Sequence, residues 1–252
     1  MRVIVTRPAE QAAQWVKHLR DAGIAAVALP LIDIAAPPDA AAVAQAWRGL
    51  DRQRLVVFVS PNAAERFFTQ RPAGSAWPDG VAAASIGPGT TQALQRLGVP
   101  AAAIIEPPVE AARFDSEALW ACLAERDWSG AAVLIVRGDG GRDWLADTLT
   151  QHGAQVEFVC AYRRLAPRLT ADALQCLDDA IARPDQHLWF FSSSEAITHL
   201  MQLRPNHAWT ASRAIATHPR IAQRARECGF GDVRETHPTL DAVVACIQSI
   251  AS

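Results

Sequence analysis

The chain has 252 residues, which is enough for one large or two ordinary globular domains. Its formal net charge of −2 gives no reason to expect a nucleic-acid partner, and no apolar run approaches the roughly 20 residues that a membrane-spanning helix needs. The apolar stretch after Met1 is too short for a signal peptide, and the five cysteines lack a C-x-x-C pair, so neither disulfides nor a zinc site is predicted. These features predict a cytoplasmic globular protein.

Short apolar runs alternate with helical patterns along the chain. The runs predict strands at 3–5, 55–59, 82–86, 133–136, 188–191 and 214–216. The patterns between them predict helices at 10–22, 63–70, 90–97, 117–125, 142–152 and 221–228. Several helices are followed by a glycine that is expected to end them, namely Gly23, Gly98, Gly153 and Gly229. Alternating strands and helices are typical of a parallel α/β sheet, and the apolar runs indicate strands buried on both faces.

The sequence repeats itself with an offset of about 130 residues, and this is the most informative pattern in the chain. Three blocks match in the same order, namely 5–23 with 135–153, 57–63 with 190–196 and 84–88 with 214–219. We infer two copies of one α/β lobe. Two similar lobes usually meet at a cleft, and clefts are where ligands bind.

Two proline-bounded segments, 30–38 and 162–167, occupy matching points of the two copies. They are the predicted crossings between the lobes. If they run side by side, the first β-α-β segment of each copy completes the sheet of the other copy. One lobe is then discontinuous in sequence.

Four predicted helices begin at a proline that directly follows the end of a strand. These prolines are Pro8, Pro61, Pro88 and Pro219. Proline suits the first helical position because its φ is already helical and its missing N–H was unpaired there. The carboxyl edge of an open parallel sheet is the ligand crevice, and helix N-termini at that edge attract anions. A slightly acidic protein could therefore bind a polyanion, although each proline alone also fits a simple helix start.

No complete catalytic motif is present. The glycine-rich segment 138–141 is neither a dinucleotide-binding fingerprint nor a P-loop, and no G-x-S-x-G elbow or metal-spaced histidine pair occurs. The single tyrosine, Tyr162, lies at the second crossing and precedes Arg163 and Arg164. A phenol stays protonated at neutral pH and can donate a proton or a hydrogen bond. The alternative is a packed aromatic ring whose hydroxyl is satisfied by the backbone.

The segment 133–149, followed by 152–156 and by Tyr162-Arg163-Arg164, resembles the uroporphyrinogen-III synthase family. Supporting blocks run in family order over almost the whole chain, at 5–8, 58–63, 86–91, 115–119 and 240–247. The resemblance implies an α/β fold of two similar flavodoxin-like lobes with parallel sheets, joined by a two-stranded linker, with one lobe discontinuous. The implied boundaries are 1–34 plus 168–252 for the terminal lobe, 38–163 for the central lobe, and about 34–38 and 163–168 for the linkers.

The same resemblance implies a cytosolic, monomeric enzyme of tetrapyrrole biosynthesis that uses no cofactor and no metal. Its substrate is the linear tetrapyrrole hydroxymethylbilane, handed over transiently by hydroxymethylbilane synthase. The enzyme closes this polycarboxylate to uroporphyrinogen III with loss of water and inversion of ring D. The electron-rich pyrroles stabilise the cation that the departing hydroxyl leaves, so positioning the substrate is the main task of the protein. No nucleic acid or membrane partner is implied.

The resemblance also assigns site residues one by one. Tyr162 matches the family tyrosine that assists loss of the hydroxyl group, and it is the predicted catalytic residue. The predicted substrate-binding residues lie at strand edges in matching blocks, and they are Thr6, Arg7, Ser60, Asn62, Gly87, Thr90, Ser116, Arg137, Gly138, Ser193 and His218. Arg7 and Arg137 are the charged partners expected for substrate carboxylates, and most of the others would bind through backbone N–H or hydroxyl groups. The junction at 217–220 departs from the Gly-Pro-Thr-Thr-like turn of some relatives.

Other interpretations stay open at this point. One is a two-lobed binding or regulatory protein that has the fold without the reaction, and another is an α/β enzyme that uses a nucleotide. Tyr162 together with the edge blocks favours the synthase over the first, and the lack of a complete phosphate-binding motif counts against the second. For single residues, helix capping by the serines and threonines and surface ion pairing by the arginines are the structural alternatives.

Overall fold

A computed structural model describes residues 1–108, 111 and 113–251 of the protein. The chain forms two compact units. The terminal unit is Met1–Asp33 together with Leu165–Ser252, and the central unit is Ile34–Arg164. None of the helices in the described ranges is long and apolar enough to cross a lipid bilayer. The lobe and linker boundaries that the sequence suggests stay a prediction.

The predicted strands and helices are all present, each within a few residues of its expected bounds. The strands in chain order are β1 (Arg2–Val5), β2 (Ala26–Ala28), β3 (Asp33–Ala35), β4 (Leu55–Phe58), β5 (Ala82–Ser85), β6 (Ile104–Ile105), β7 (Ala132–Gly138), β8 (Gln155–Leu165), β9 (His187–Phe191), β10 (Arg213–Ala216) and β11 (Asp232–Glu235). The helices are α1 (Ala9–Asp21), α2 (Ala40–Arg48), α3 (Pro61–Phe68), α4 (Pro88–Arg96), α5 (Ser116–Leu123), α6 (Trp144–Gln151), α7 (Ala171–Ala182), α8 (Ser194–Leu203), α9 (Pro219–Glu227) and α10 (Leu240–Ala251).

Each unit is built around one sheet of parallel strands. The terminal sheet has the order β2-β1-β9-β10-β11, and all of its neighbouring strands are parallel. The central sheet has the order β3-β8-β7-β4-β5-β6, and the strands from β8 to β6 are parallel. Counted from its own β-α-β segment, each sheet contains the strand order 2-1-3-4-5 of a flavodoxin-like fold, and the central sheet has β3 as an additional strand beside β8. The predicted fold class is therefore confirmed.

The two β-α-β segments are exchanged between the repeat copies, as the sequence predicts. The segment β1-α1-β2 belongs to the first copy, yet β1 pairs with β9 of the second copy, with Ile4 opposite Trp189. The segment β7-α6-β8 belongs to the second copy, yet β7 pairs with β4 of the first, with Ile135 opposite Val57. The chain crosses between the units at β3 and at the end of β8, which are neighbouring strands. This pair is the two-stranded linker, and the terminal lobe is the discontinuous one.

The side chains of the central strands alternate between two hydrophobic clusters, one on each face of the central sheet. Val56 and Phe58 of β4 pack in the cluster that contains residues of α2, α3 and α4. Leu55 and Val57 pack in the cluster that contains residues of α5 and α6. All four side chains are fully buried, so the prediction of strands buried on both faces is confirmed. Because helices cover both faces, functional groups are expected at the strand ends.

Most helix boundaries follow the predicted signals. Three of the four junction prolines occupy the first position of a helix, namely Pro61, Pro88 and Pro219. The prediction for Pro8 is wrong by one residue, because its ψ of 149° is extended and α1 begins at the next residue. The Pro8 carbonyl still accepts a helical hydrogen bond from the Ala12 N–H at 2.8 Å, so Pro8 is the cap. The four predicted glycine stops all have the positive φ that favours glycine at a helix end.

Candidate active site

Arg7 follows β1 at the carboxyl edge of the terminal sheet, where its guanidinium group lies against aromatic rings. Its guanidinium carbon is 4.9 Å from the centroid of the Trp15 ring and 5.7 Å from that of the Phe190 ring. The Nε atom is buried without a hydrogen-bond partner, and no carboxylate in the described part of the chain pairs with Arg7. Burial lowers the pKa of Arg7 to about 10, so the group still carries its charge at neutral pH. This charge is available to an anionic ligand.

The repeat explains why Arg7 has no carboxylate partner among the described residues. Arg137 stands at the matching position of the second copy, and it forms an ion pair with Asp143, six residues later. The equivalent position after Arg7 is occupied by Ala13. Arg137 also stacks on Phe158, with its guanidinium carbon 3.9 Å from the ring centroid. Of the two arginines expected to meet substrate carboxylates, Arg7 is therefore the one whose charge the described chain does not already balance.

The other predicted residues of the terminal unit are already engaged by the backbone. Thr6 is buried, and its N–H and its hydroxyl both donate to the Phe190 carbonyl, at 3.3 and 2.8 Å. The hydroxyl hydrogen of Thr6 is thus not available to a carboxylate. Ser193 caps α8 through its Oγ, and His218 caps α9 through its Nδ1, each accepting a backbone N–H at 3.2 and 3.1 Å. Their roles in substrate binding stay predictions.

Tyr162 lies at the carboxyl edge of the central sheet, directly after a bulge in the pairing of β7 with β8. Arg137 is opposite Cys160, whereas Gly138 is opposite Tyr162, so the register shifts by one residue between them. Side chains alternate along a regular strand, and Ala161 and Tyr162 would then point to opposite faces. Both instead belong to one hydrophobic cluster. The bulge therefore turns the Tyr162 ring over Gly138.

Ser60, Gly138 and Tyr162 are brought together by this arrangement. Tyr162 has only 3% of its surface exposed, and its hydroxyl oxygen lies 3.1 Å from Oγ of Ser60. Ser60 follows β4 and caps α3, where its Oγ accepts the Ala63 backbone N–H at 3.1 Å. A Cβ atom at Gly138 would lie 2.9 Å from Cζ of Tyr162, which is closer than such atoms approach in proteins. Glycine is thus needed for the ring to rest on the strand.

The remaining predicted residues of the central unit lie at helix starts. Asn62 and Thr90 are in the first turns of α3 and α4, and Gly87 is the cap of α4. Ser116 is the first residue of α5, but the cap is Asp115, whose carboxylate accepts a backbone N–H at 3.0 Å. Asp115 is not among the predicted site residues, although an aspartate before a helical pattern is a usual start signal.

The glycine-rich segment after β7 is held in place by two contacts. Arg142 donates two hydrogen bonds to the Glu117 carboxylate of α5, at 2.7 and 2.9 Å. Glu117 thereby raises the pKa of Arg142. The carboxylate of Asp139 accepts the backbone N–H of Arg164 at 3.2 Å. These contacts restrain the segment, and the charge of Arg142 is already balanced.

Metal and thiol chemistry find no support in the side chains that the structure describes. Among residues 1–108, 111 and 113–251, no group of three or more His, Cys, Asp or Glu side chains could hold a metal ion. The five cysteines are free thiols. Burial raises the pKa of Cys160, Cys176 and Cys246, so these thiols are protonated at neutral pH and are poor nucleophiles.

Each unit carries functional groups at its own strand edge, and these groups define a class of protein. The terminal edge offers a guanidinium that lies against two aromatic rings, and the central edge offers a phenol hydrogen-bonded to the serine that caps a helix. Helices begin at both edges and direct partial positive charge towards the strand ends. These features describe a two-lobed, flavodoxin-like α/β protein whose strand edges suit an anionic small molecule and the transfer of a proton from a hydroxyl group.

Sequence comparison narrows this class to one family. A model of the uroporphyrinogen-III synthase HemD family matches residues 13–245, and the chain belongs to this family. The uroporphyrinogen-III synthase of Salmonella typhimurium is 29% identical over 256 residues, which cover 98% of this chain and 100% of that protein. The enzyme of the same name from Proteus mirabilis is 32% identical over 166 residues, which cover 66% of this chain and 81% of that protein. The predicted family and enzyme class are confirmed.

Solved structures share the fold. The uroporphyrinogen-III synthetase of Helicobacter pylori aligns with a TM-score of 0.60 at 16% identity, over 99% of this chain and 100% of that one. A mutant uroporphyrinogen III synthase of Thermus thermophilus aligns with a TM-score of 0.59 at 15% identity, over 100% of this chain and 97% of that one. At such low identity the similarity establishes the α/β fold.

Proposed function

We propose that this chain closes hydroxymethylbilane to uroporphyrinogen III, with loss of water and inversion of ring D. The observation that carries the proposal is the family match, because it extends over residues 13–245 and so includes strand ends of both units. Relatives named uroporphyrinogen-III synthase cover nearly the whole chain. The residues at the two strand edges supply what this reaction requires.

The first requirement is to hold a flexible polycarboxylate. Arg7 supports this role, because it is a cation with aromatic neighbours and without a carboxylate partner in the described chain. The helix starts capped by Ser60, Ser193 and His218 add backbone N–H groups and partial positive charge. A chain with a net charge of −2 could bind a polyanion in this way without a basic surface.

The second requirement is departure of the terminal hydroxyl group as water. Tyr162 would donate its phenol proton to the departing oxygen, because the hydroxyl is already fixed at the strand edge by Ser60. The adjacent pyrrole supplies the electron pair that expels the oxygen, and a delocalised cation remains. Ring D then attacks the methylene carbon through its substituted carbon and forms a spiro intermediate, which rearranges to the inverted ring. The substrate thus carries its own electron source, and no cofactor takes part in the proposed reaction.

The proposal includes three finer features. The enzyme would act as a monomer in the cytoplasm, and it would take its substrate from hydroxymethylbilane synthase by transient contact. The reactivity of the substrate supports the transfer, because free hydroxymethylbilane closes spontaneously to the isomer without ring inversion. Two complete sheets in one chain support the monomer.

The product isomer tests the proposed function. Purified protein incubated with hydroxymethylbilane should form uroporphyrinogen III faster than the spontaneous reaction forms isomer I. Separation of the two isomers by chromatography measures both rates, and heat-denatured protein provides the spontaneous rate under the same conditions. Isomer I alone, formed at the spontaneous rate, would exclude the synthase activity.

Tyr162→Phe should slow turnover by about tenfold or more, since a positioned proton donor contributes roughly 10²–10⁴-fold to a rate. The protein should keep its fold, because a phenylalanine ring packs on Gly138 as the tyrosine ring does. Steady-state kcat for isomer III measures the effect, with the midpoint of thermal unfolding as the control. A kcat equal to that of the wild type would leave Tyr162 with a packing role only.

A further inference from the structure

We propose that Ser60 is a positioning residue for Tyr162. It would fix the phenol oxygen, direct the phenol hydrogen towards the substrate, and donate a hydrogen bond to the phenolate after proton transfer. The inference rests on the proposed function, because it concerns the same reaction. It replaces the expectation from sequence that Ser60 itself binds a substrate carboxylate.

The hydrogen bonds of Ser60 allow it to donate to Tyr162. Ser60 Oγ already accepts the Ala63 backbone N–H at 3.1 Å. Its single hydroxyl hydrogen can be donated to the Tyr162 oxygen, which lies 3.1 Å away. A hydroxyl that accepts a hydrogen bond becomes a stronger donor, and in the proposed arrangement Ser60 donates to Tyr162. With this direction, the bond with Ser60 does not use the phenol hydrogen, which in the proposed reaction moves to the departing substrate oxygen.

The Tyr162 ring is held from the opposite side by packing. The bulge in β8 turns the ring over Gly138, whose missing Cβ makes room for it. The ring is also a member of the buried cluster that contains Phe58 and Phe67. Packing thus fixes the ring and Ser60 fixes its oxygen. A donor held in this way loses little further freedom when the substrate binds.

Proton transfer places a negative charge on the Tyr162 oxygen, and Ser60 lies where this charge forms. As the C–O bond of the substrate hydroxymethyl group breaks, the phenol proton moves to the departing oxygen, which gives water and a phenolate. Ser60 then donates to the phenolate, and the start of α3 adds partial positive charge on the same side. The proton released when the closed ring system regains its aromatic pyrroles returns to the phenolate. The enzyme is unchanged at the end of the cycle.

Four variants test the role of Ser60. Ser60→Ala removes the hydroxyl, Ser60→Thr keeps a capping hydroxyl, and Ser60→Ala is also combined with Tyr162→Phe. The matched control is Thr170→Ala, because Thr170 caps α7 by accepting a backbone N–H at 3.3 Å and lies outside the predicted site. For each variant, kcat and KM for isomer III and the midpoint of thermal unfolding are measured.

We expect Ser60→Ala to lower kcat by about tenfold, with less than about a twofold change in KM. Ser60→Thr should restore kcat to within about twofold, since the hydroxyl and the cap are both kept. Thr170→Ala should lower the unfolding midpoint much as Ser60→Ala does, because both lose a cap, but its kcat should stay at the wild-type value. When Tyr162 is already phenylalanine, Ser60→Ala should lower kcat by less than about a further twofold.

Three results would overturn the inference. The first is an equal loss of kcat with and without the Tyr162 hydroxyl, which would mean that Ser60 acts on the substrate directly. The second is a raised KM at unchanged kcat, and the third is a Ser60→Ala enzyme with wild-type kcat. The proposed function fails separately, because it fails only if the wild-type protein forms no isomer III above the spontaneous reaction.

Discussion

Arg7→Met should raise the KM for hydroxymethylbilane by about 10- to 100-fold, which corresponds to the roughly 1.5–3 kcal/mol that a hydrogen bond to a charged group contributes. The physical reason is that no carboxylate in the described chain balances this guanidinium, so the substrate loses its charged partner. Methionine keeps an unbranched apolar side chain beside Trp15 and Phe190. We expect a smaller effect on kcat, because Arg7 holds a carboxylate that does not react.

The same substitution should leave the stability of the substrate-free protein unchanged or higher. Burial lowers the pKa of Arg7 to about 10, which means that the charged form is disfavoured in the folded state and that its removal relieves this penalty. The midpoint of thermal unfolding without substrate measures the effect.

The matched control for Arg7 is Arg20→Met in the same unit. Arg20 donates from Nε and Nη2 to the Ala26 carbonyl, at 3.1 and 2.8 Å, so its loss should lower the unfolding midpoint and leave KM unchanged. If Arg7→Met instead lowers the unfolding midpoint and leaves KM unchanged, then Arg7 stabilises the fold and does not bind the substrate.

Gly138→Ala should reduce kcat at least as much as Tyr162→Phe does. The new Cβ would lie 2.9 Å from Cζ and 3.1 Å from Cε2 of Tyr162, so the ring must move. It cannot move without disturbing the buried cluster to which it belongs, and its hydroxyl would leave Ser60. We expect kcat to fall by about tenfold or more and the free energy of unfolding to fall by about 1–3 kcal/mol.

Gly140→Ala is the matched control for this substitution. A Cβ at Gly140 meets only Nη2 of Arg164, at 4.0 Å, so kcat and stability should both stay close to the wild-type values. Steady-state kinetics and urea unfolding measure the two quantities for both variants. A Gly138→Ala enzyme with wild-type kcat would show that the position of the Tyr162 ring does not affect the reaction.

The central strands could be predicted from the sequence, whereas the edge strands could not. Leu55–Phe58 is apolar at every position because helices cover both faces of the sheet, and this produces a continuous apolar run. At the sheet edges, β11 has the polar sequence Asp232–Glu235, and β6 is only Ile104–Ile105. Neither has the pattern of a buried strand.

The sequence predicts that the site residues lie at the ends of strands. It does not predict which of these residues contact each other. Ser60 and Tyr162 are 102 residues apart, and the bulge beneath the tyrosine depends on how β7 pairs with β8. No local pattern contains this information. The sequence does contain the reason why Arg137 has a carboxylate partner and Arg7 has none in the described chain. Asp143 lies six residues after Arg137, whereas Ala13 lies six residues after Arg7.

The exchanged β-α-β segments also affect how the protein can fold while it is being synthesised. The central unit is one continuous stretch, Ile34–Arg164, so its sheet can be complete as soon as that stretch has left the ribosome. The segment β1-α1-β2 precedes the central unit in the chain, yet it belongs to a sheet whose next strand is β9, and the Thr6 hydroxyl donates to a carbonyl 184 residues further along. During synthesis, one edge of β1 must therefore stay unpaired until β9 has been made, although its other edge can pair with β2. Premature termination before His187–Phe191 would leave β1 without its partner strand β9.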